Sequence, residues 1–235
     1  MLLNIFKKQG QLNLFTYLVF ILIALVGMVF GKFISQNYSS LRIWEITDLL
    51  VLLAGIPFLF FMSKAGIPDF WQPEITNRYR FLIPALLGCV FGILDIFVFK
   101  ILLHPEAYKE LPPFLQPFPY SVFLYFSGAF EIEIFYRLIP LTLILLLGIW
   151  FKKGKYSTVF FVVGAIITSL REPLEQMPET GTLIIIYSLV TGFAMNYIQA
   201  IWFKRAGFLS ALSVRLGHYL FWHILLGIYV QFIEL

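Results

Sequence analysis

The sequence predicts an all-α, polytopic transmembrane bundle of about seven spans, with its N-terminus in the cytoplasm. Three observations predict it. Of 235 residues, 60% are apolar and 13% charged, with a mean hydropathy of +0.87, whereas soluble domains carry about a quarter charged residues. The apolar residues gather in runs near the roughly 20 residues needed to cross about 30 Å of hydrocarbon. The Lys and Arg between those runs divide unequally between the two sides.

Composition also excludes classes. An aromatic share of 19%, with 27 Phe, is more apolar surface than one soluble core of this length buries. Disordered and collagen-like chains are excluded on the same ground. The pI near 9.1 does not indicate a nucleic-acid partner, because the basic residues are scattered between apolar runs and form no patch. The single cysteine, Cys89, lies within an apolar run, so neither a disulfide framework nor a cysteine metal cluster is available.

The spans follow in order. Residues 13–34 form the first. The stretch before it, MLLNIFKKQG, is basic, but the apolar run is too long for a signal peptide and no small-x-small site follows, so the segment reads as uncleaved. Residues 46–63 form the second span and contain Pro57; 81–103 form the third, where Gly88 and Gly92 have the GxxxG spacing of helix packing, within one chain or between two. Residues 118–151 make a long fourth span that must be tilted, kinked at Pro140 or split. The last three occupy 157–171, 180–203 and 206–233.

Lys7, Lys8, Lys64, Arg78, Arg80, Lys152, Lys153, Lys155, Lys204 and Arg205 fall on one side, ten in all, against five (Lys32, Arg42, Lys100, Lys109 and Arg171) on the other. The positive-inside rule then places the N-terminus in the cytoplasm. No loop is long enough for a soluble domain, so residues 1–235 form a single multi-pass domain expected in the cell membrane, with the lipid bilayer as its surroundings. Any chemistry sits inside the bundle.

Charged groups at mid-bilayer depth cost roughly 2.5–3.5 kcal/mol each, which makes them functional candidates. Glu133 and Arg137 are four apart and share a helix face, while Glu131 is turned away from them. The pair reads as a reactive carboxylate with its cation, or as a structural ion pair between helices. Glu172 and Gln176 share a face at the end of the fifth span, where Glu175 and Glu179 suggest a wet turn. In SVRLGHYLFWHIL, Arg215, Tyr219 and either Trp222 or His223 form one stripe, and α-helical spacing sets His218 about 140° from His223. At about 1.5 Å per residue, Glu133, Glu172, His223 and Asp95 reach depths of roughly 27, 24, 25 and 21 Å, close enough to meet.

These residues carry a resemblance to the CPBP family, the CAAX proteases and bacteriocin-processing enzymes, which are multi-helix intramembrane endopeptidases. It spans residues 125–225 within a core of about 118–233. The family's first motif is two adjacent Glu, three residues and an Arg; GAFEIEIFYRLIP supplies the second Glu as Glu133 and the Arg as Arg137, with Ile132 at the first. The second motif, Phe and His, falls on Glu172 and Gln176. The third, a His followed four residues later by Asn, Asp or His, falls on His218 with Trp222 or Tyr219 with His223.

The resemblance implies peptide-bond hydrolysis within the membrane, on membrane-anchored or leader-bearing peptides. It makes Glu133 the candidate base, oriented by Arg137, with His223 as the second catalytic or oxyanion group and Glu172 as a further carboxylate. Gln176, Arg215, His218, Tyr219 and Asp95 are secondary candidates. No cofactor is expected; a divalent metal on Glu133, Glu172 and the two His is chemically feasible, but no HExxH spacing supports it. Two other readings stay open: a catalytically silent bundle that binds membrane partners, and a proton-coupled carrier built on Asp95, Glu133, Glu172 and His223.

Overall fold

In the computed structural model, which describes residues 2–38, 41–178 and 181–235, the chain folds into helices joined by short connections. Glu179 and the side chains of Lys7 and Lys8 lie outside the described residues. Seven helices are found among the described residues: α1 (Leu2–Ile34), α2 (Asp48–Leu59), α3 (Arg78–Leu103), α4 (Tyr120–Gly154), α5 (Ser157–Glu175), α6 (Thr182–Ala206) and α7 (Phe208–Glu234). Six are long and apolar enough to cross a membrane. Their outer faces carry exposed large apolar side chains, such as Phe15, Leu22 and Val29 on α1 and Leu86, Val90 and Ile93 on α3. Water does not tolerate an apolar belt of this extent, whereas lipid does. The chain is a multi-pass integral membrane protein.

The second expected span differs. α2 has 12 residues and, at 1.5 Å each, covers only about 18 Å. It is preceded by a non-helical stretch at 41–47, which Asp48 holds by accepting the amide of Glu45 at 2.8 Å. Pro57 lies in its last turn, where a missing N–H and a bulky ring discourage continuation. The helix packs against the middles of its neighbours: Tyr17 donates to the Leu52 carbonyl at 2.6 Å, and Gly55 makes room for Tyr17 and Ile134. Helix and extended stretch together carry the chain between the two ends of the bundle.

One end gathers the start of α1, the 60–77 loop and the α6–α7 junction. Asn13 donates to Asp69 at 2.7 Å, Lys204 donates to the Gly66 carbonyl at 2.7 Å, and Phe70 stacks on Phe208 at 5.2 Å. At the far end Tyr120 donates to the Arg42 carbonyl, Phe118 N–H to Gln231, and Tyr108 N–H to Glu234.

Two prolines shape α3 and α4 alike. The π-turns Arg78–Leu82 and Ile134–Leu138 each end two residues before a proline, Pro84 and Pro140. A proline ring clashes with the carbonyl four residues back, and a π-turn takes up that clash without breaking the helix. In α3 the carbonyls of Tyr79 and Arg80 lie 3.3 Å from the hydroxyls of Ser210 and Ser213, which stand nearer the carbonyls of Ala206 and Leu209 in their own helix, at 3.1 and 2.7 Å.

The GxxxG glycines pack within the chain. A Cβ on Gly88 would stand 1.8 Å from the Val214 carbonyl oxygen, one on Gly92 2.6 Å from that of His218, and one on Gly217 2.1 Å from that of Ala85. Backbone therefore meets backbone between α3 and α7, where close approach replaces the hydrophobic effect as the source of helix association.

Candidate functional site

Two polar centres lie side by side in the bundle. The first is closed. Glu133 and Arg137 from α4, Glu172 from α5 and Arg215 from α7 are all at most 4% exposed. Arg215 reaches Glu172 with two nitrogens, at 2.7 and 2.6 Å, and Glu133 with Nε at 3.0 Å. Asn196 and Gln199 from α6 complete it. Arg215 donates to their side-chain oxygens at 3.1 and 3.0 Å, and Arg137 donates to both as well, to Gln199 at 2.6 Å.

Two carboxylates and two guanidinium groups make this cluster neutral, the condition under which buried charge is tolerable. The i,i+4 pair expected from sequence is the looser contact: Arg137 Nε stands 3.8 Å from Glu133 and is not hydrogen-bonded to it. Glu133 is held mainly by Arg215, 82 residues away.

The second centre is a cavity of about 770 Å³, running from Arg42, Tyr108 and Phe114 at the far end down to Glu172, Asn196 and Arg215. Of the expected residues, Asp95, Gln176, His218, Tyr219 and His223 line it, together with Glu172 and Arg215 at its floor; Glu133 and Arg137 do not. Glu131, which sequence turned away from Glu133, lines it, as does Ile132.

Asp95 accepts from His218 Nε2 and from the Tyr187 hydroxyl, each at 2.7 Å. This joins α3, α6 and α7 through one carboxylate. Opposite it, His223 Nδ1 stands 2.8 Å from the Phe114 carbonyl oxygen. A carbonyl only accepts, so Nδ1 carries the proton and Nε2 the lone pair. The same carbonyl accepts from Tyr125 at 2.6 Å, and the Tyr125 ring stacks on His223 at 4.2 Å. Nε2 has no hydrogen-bond partner among the described residues.

The 140° separation of His218 and His223 does not hold. A π-turn at Leu220–Leu225 takes an extra residue into the turn and swings His223 back. The two rings lie 6.2 Å apart.

Asn196 and Gln199 were legible in principle, as amides three apart within an apolar span, by the same rule that singled out the charges. Tyr187, Tyr125 and the Phe114 carbonyl carry no such signal. Among the described residues no three His, Cys, Asp or Glu side chains gather as a metal-ligand set.

Fold and site define a polytopic all-helical membrane protein with a polar cavity inside the bundle. No protein-family model, curated protein or solved structure matches the chain.

Proposed function

We propose that the chain is an intramembrane peptidase of CPBP-like type whose chemistry takes place in the cavity. The observation that carries this reading is His223, whose Nδ1–H is spent on Phe114 and whose Nε2 lone pair is left beside a carboxylate–imidazole pair. In this reading Nε2 takes a proton from water as the oxygen attacks a peptide carbonyl, and returns it to the leaving amine. Asp95 holds His218 and Tyr187 in the cavity wall beside the reacting groups. Glu133 and Arg137 are sealed away and serve, with Arg215, as the frame that holds α4, α5 and α7 in register. The substrate is a membrane-anchored or leader-bearing peptide, and the basic end of the bundle faces the cytoplasm.

The test is N-terminal peptide profiling of cells expressing wild type, His223→Ala or Asp95→Asn at equal membrane levels. New termini present only with wild type support hydrolysis. Identical profiles favour a second reading, a silent bundle that binds membrane peptides. A specific observation speaks for it: Ile132 and Gln176, where the resemblance expects Glu and His, both line the cavity.

A further inference from the structure

Among the described residues the cavity wall carries one arginine, the exposed Arg42, whose head group is unused. Arg215 is saturated by Glu133, Glu172, Asn196 and Gln199. The Arg42 guanidinium, on the non-helical stretch before α2, has no hydrogen-bond or ion-pair partner among the described residues, although Glu131 lines the same cavity. Its main chain, by contrast, is fixed: the amide donates to Gln116 at 2.9 Å and the carbonyl accepts from Tyr120 at 2.7 Å. Two residues on, Trp44 is buried and also lines the cavity. Arg42 is therefore mounted on a pinned backbone in the wall that also holds Tyr125 and His223.

A planar guanidinium is suited to a carboxylate or phosphate, which it grips with two parallel N–H bonds. We infer that Arg42 anchors the free carboxylate of a peptide ligand within reach of His223. The choice of a peptide rests on the peptidase reading; the anion site does not.

The experiment uses the full chain in detergent and reads energy transfer from cavity tryptophans to dansyl-labelled probes. The probes are a hydrophobic hexapeptide ending in a free carboxylate, the same peptide ending in an amide, and dansyl-lysophosphatidylglycerol. The expected result is at least tenfold tighter binding of the acid than the amide, lost in Arg42→Gln and partly kept in Arg42→Lys. Arg42 binds its neighbours through main chain, so Arg42→Gln is expected to fold, which its thermal midpoint checks. Arg42-dependent binding of the lysolipid, with acid and amide equal, overturns the inference and assigns the site to a lipid phosphate.

Binding of all three probes that is unchanged in Arg42→Gln also overturns it. Gly128→Leu, which puts a side chain into the cavity at a position where an added Cβ meets nothing within 4 Å, is expected to weaken the Arg42-dependent binding. The titrations are repeated in His223→Ala. Arg42-dependent binding without cleavage by any chain keeps the anchor and sinks the peptidase; cleavage without Arg42 dependence does the reverse.

Discussion

Arg215 meets Glu172 end-on, Nη1 to Oε1 at 2.7 Å and Nη2 to Oε2 at 2.6 Å, and turns its Nε to Glu133 at 3.0 Å. One side chain of α7 thus bonds carboxylates from two other helices, Glu133 sealed inside the bundle and Glu172 at the cavity floor. A buried pair of this kind adds little over an apolar replacement, but breaking it leaves a stranded charge.

Arg215→Met is accordingly expected to destabilise the protein by roughly 3–5 kcal/mol. The double variant Arg215→Met with Glu172→Met restores one carboxylate to one guanidinium and recovers most of that loss. Thermal unfolding in detergent followed by size exclusion reads both; equal midpoints for single and double variants would show that charge balance is not what holds the cluster.

The α3–α7 contact makes a sharper prediction. Gly217→Ala places a Cβ 2.1 Å from a backbone oxygen that cannot swing aside, and overpacking of this kind costs about 1–3 kcal/mol or more. Gly128→Ala meets nothing within 4 Å and gains about 0.5–1 kcal/mol from helix propensity. Opposite shifts in thermal midpoint are expected, and a harmless Gly217→Ala contradicts the packing.

Asp69 lies in the loop at the basic end, 7% exposed and hydrogen-bonded to Asn13. Burial pushes its carboxyl above the usual carboxylate range, against a smaller lowering by Asn13. The native state therefore favours the protonated acid: its stabilisation is full below the unfolded pKa and is lost as pH rises through the folded one. Asp69→Asn keeps an acceptor for Asn13 and removes the titration. Its thermal midpoint is expected to match wild type under acid conditions and to exceed it increasingly toward neutral pH; a gap independent of pH would refute this.

The last turn of α4, Phe151–Gly154, places Lys152 and Lys153 at φ 46° and 55°, ahead of Gly154 at φ 82°. Left-handed backbone costs a non-glycine residue about 1–2 kcal/mol, partly offset in glycine by its greater unfolded-state freedom. Lys153→Gly is expected to stabilise by roughly 0.5–1 kcal/mol, and Lys153→Val, whose branched Cβ crowds the same conformation, to destabilise. Matching midpoints for the two variants would remove the strain argument.

Much of this protein was written in its sequence. Hydropathy summed over about 20 residues is a local quantity, and a bilayer enforces it strictly because every backbone group inside must be satisfied within its own helix. The all-helical membrane class and the order of the helices follow from that sum. It also marked Glu133, Arg137, Glu172, Arg215, Asp95, His218 and His223 as buried polar groups. Tertiary structure decided how they pair. Glu133 turns to Arg215 rather than to its neighbour four residues on, and Asp95 takes His218 and Tyr187 from two other helices. Such contacts depend on which helices adjoin, and on helical phase, which the π-turn at Leu220–Leu225 shifts enough to bring His223 toward His218. Period arithmetic assumes a uniform helix, and α2 shows the same limit: its apolar run is long enough to read as a span, yet only 12 residues are helical, because Asp48 ties back to Glu45 at one end and Pro57 weakens the other.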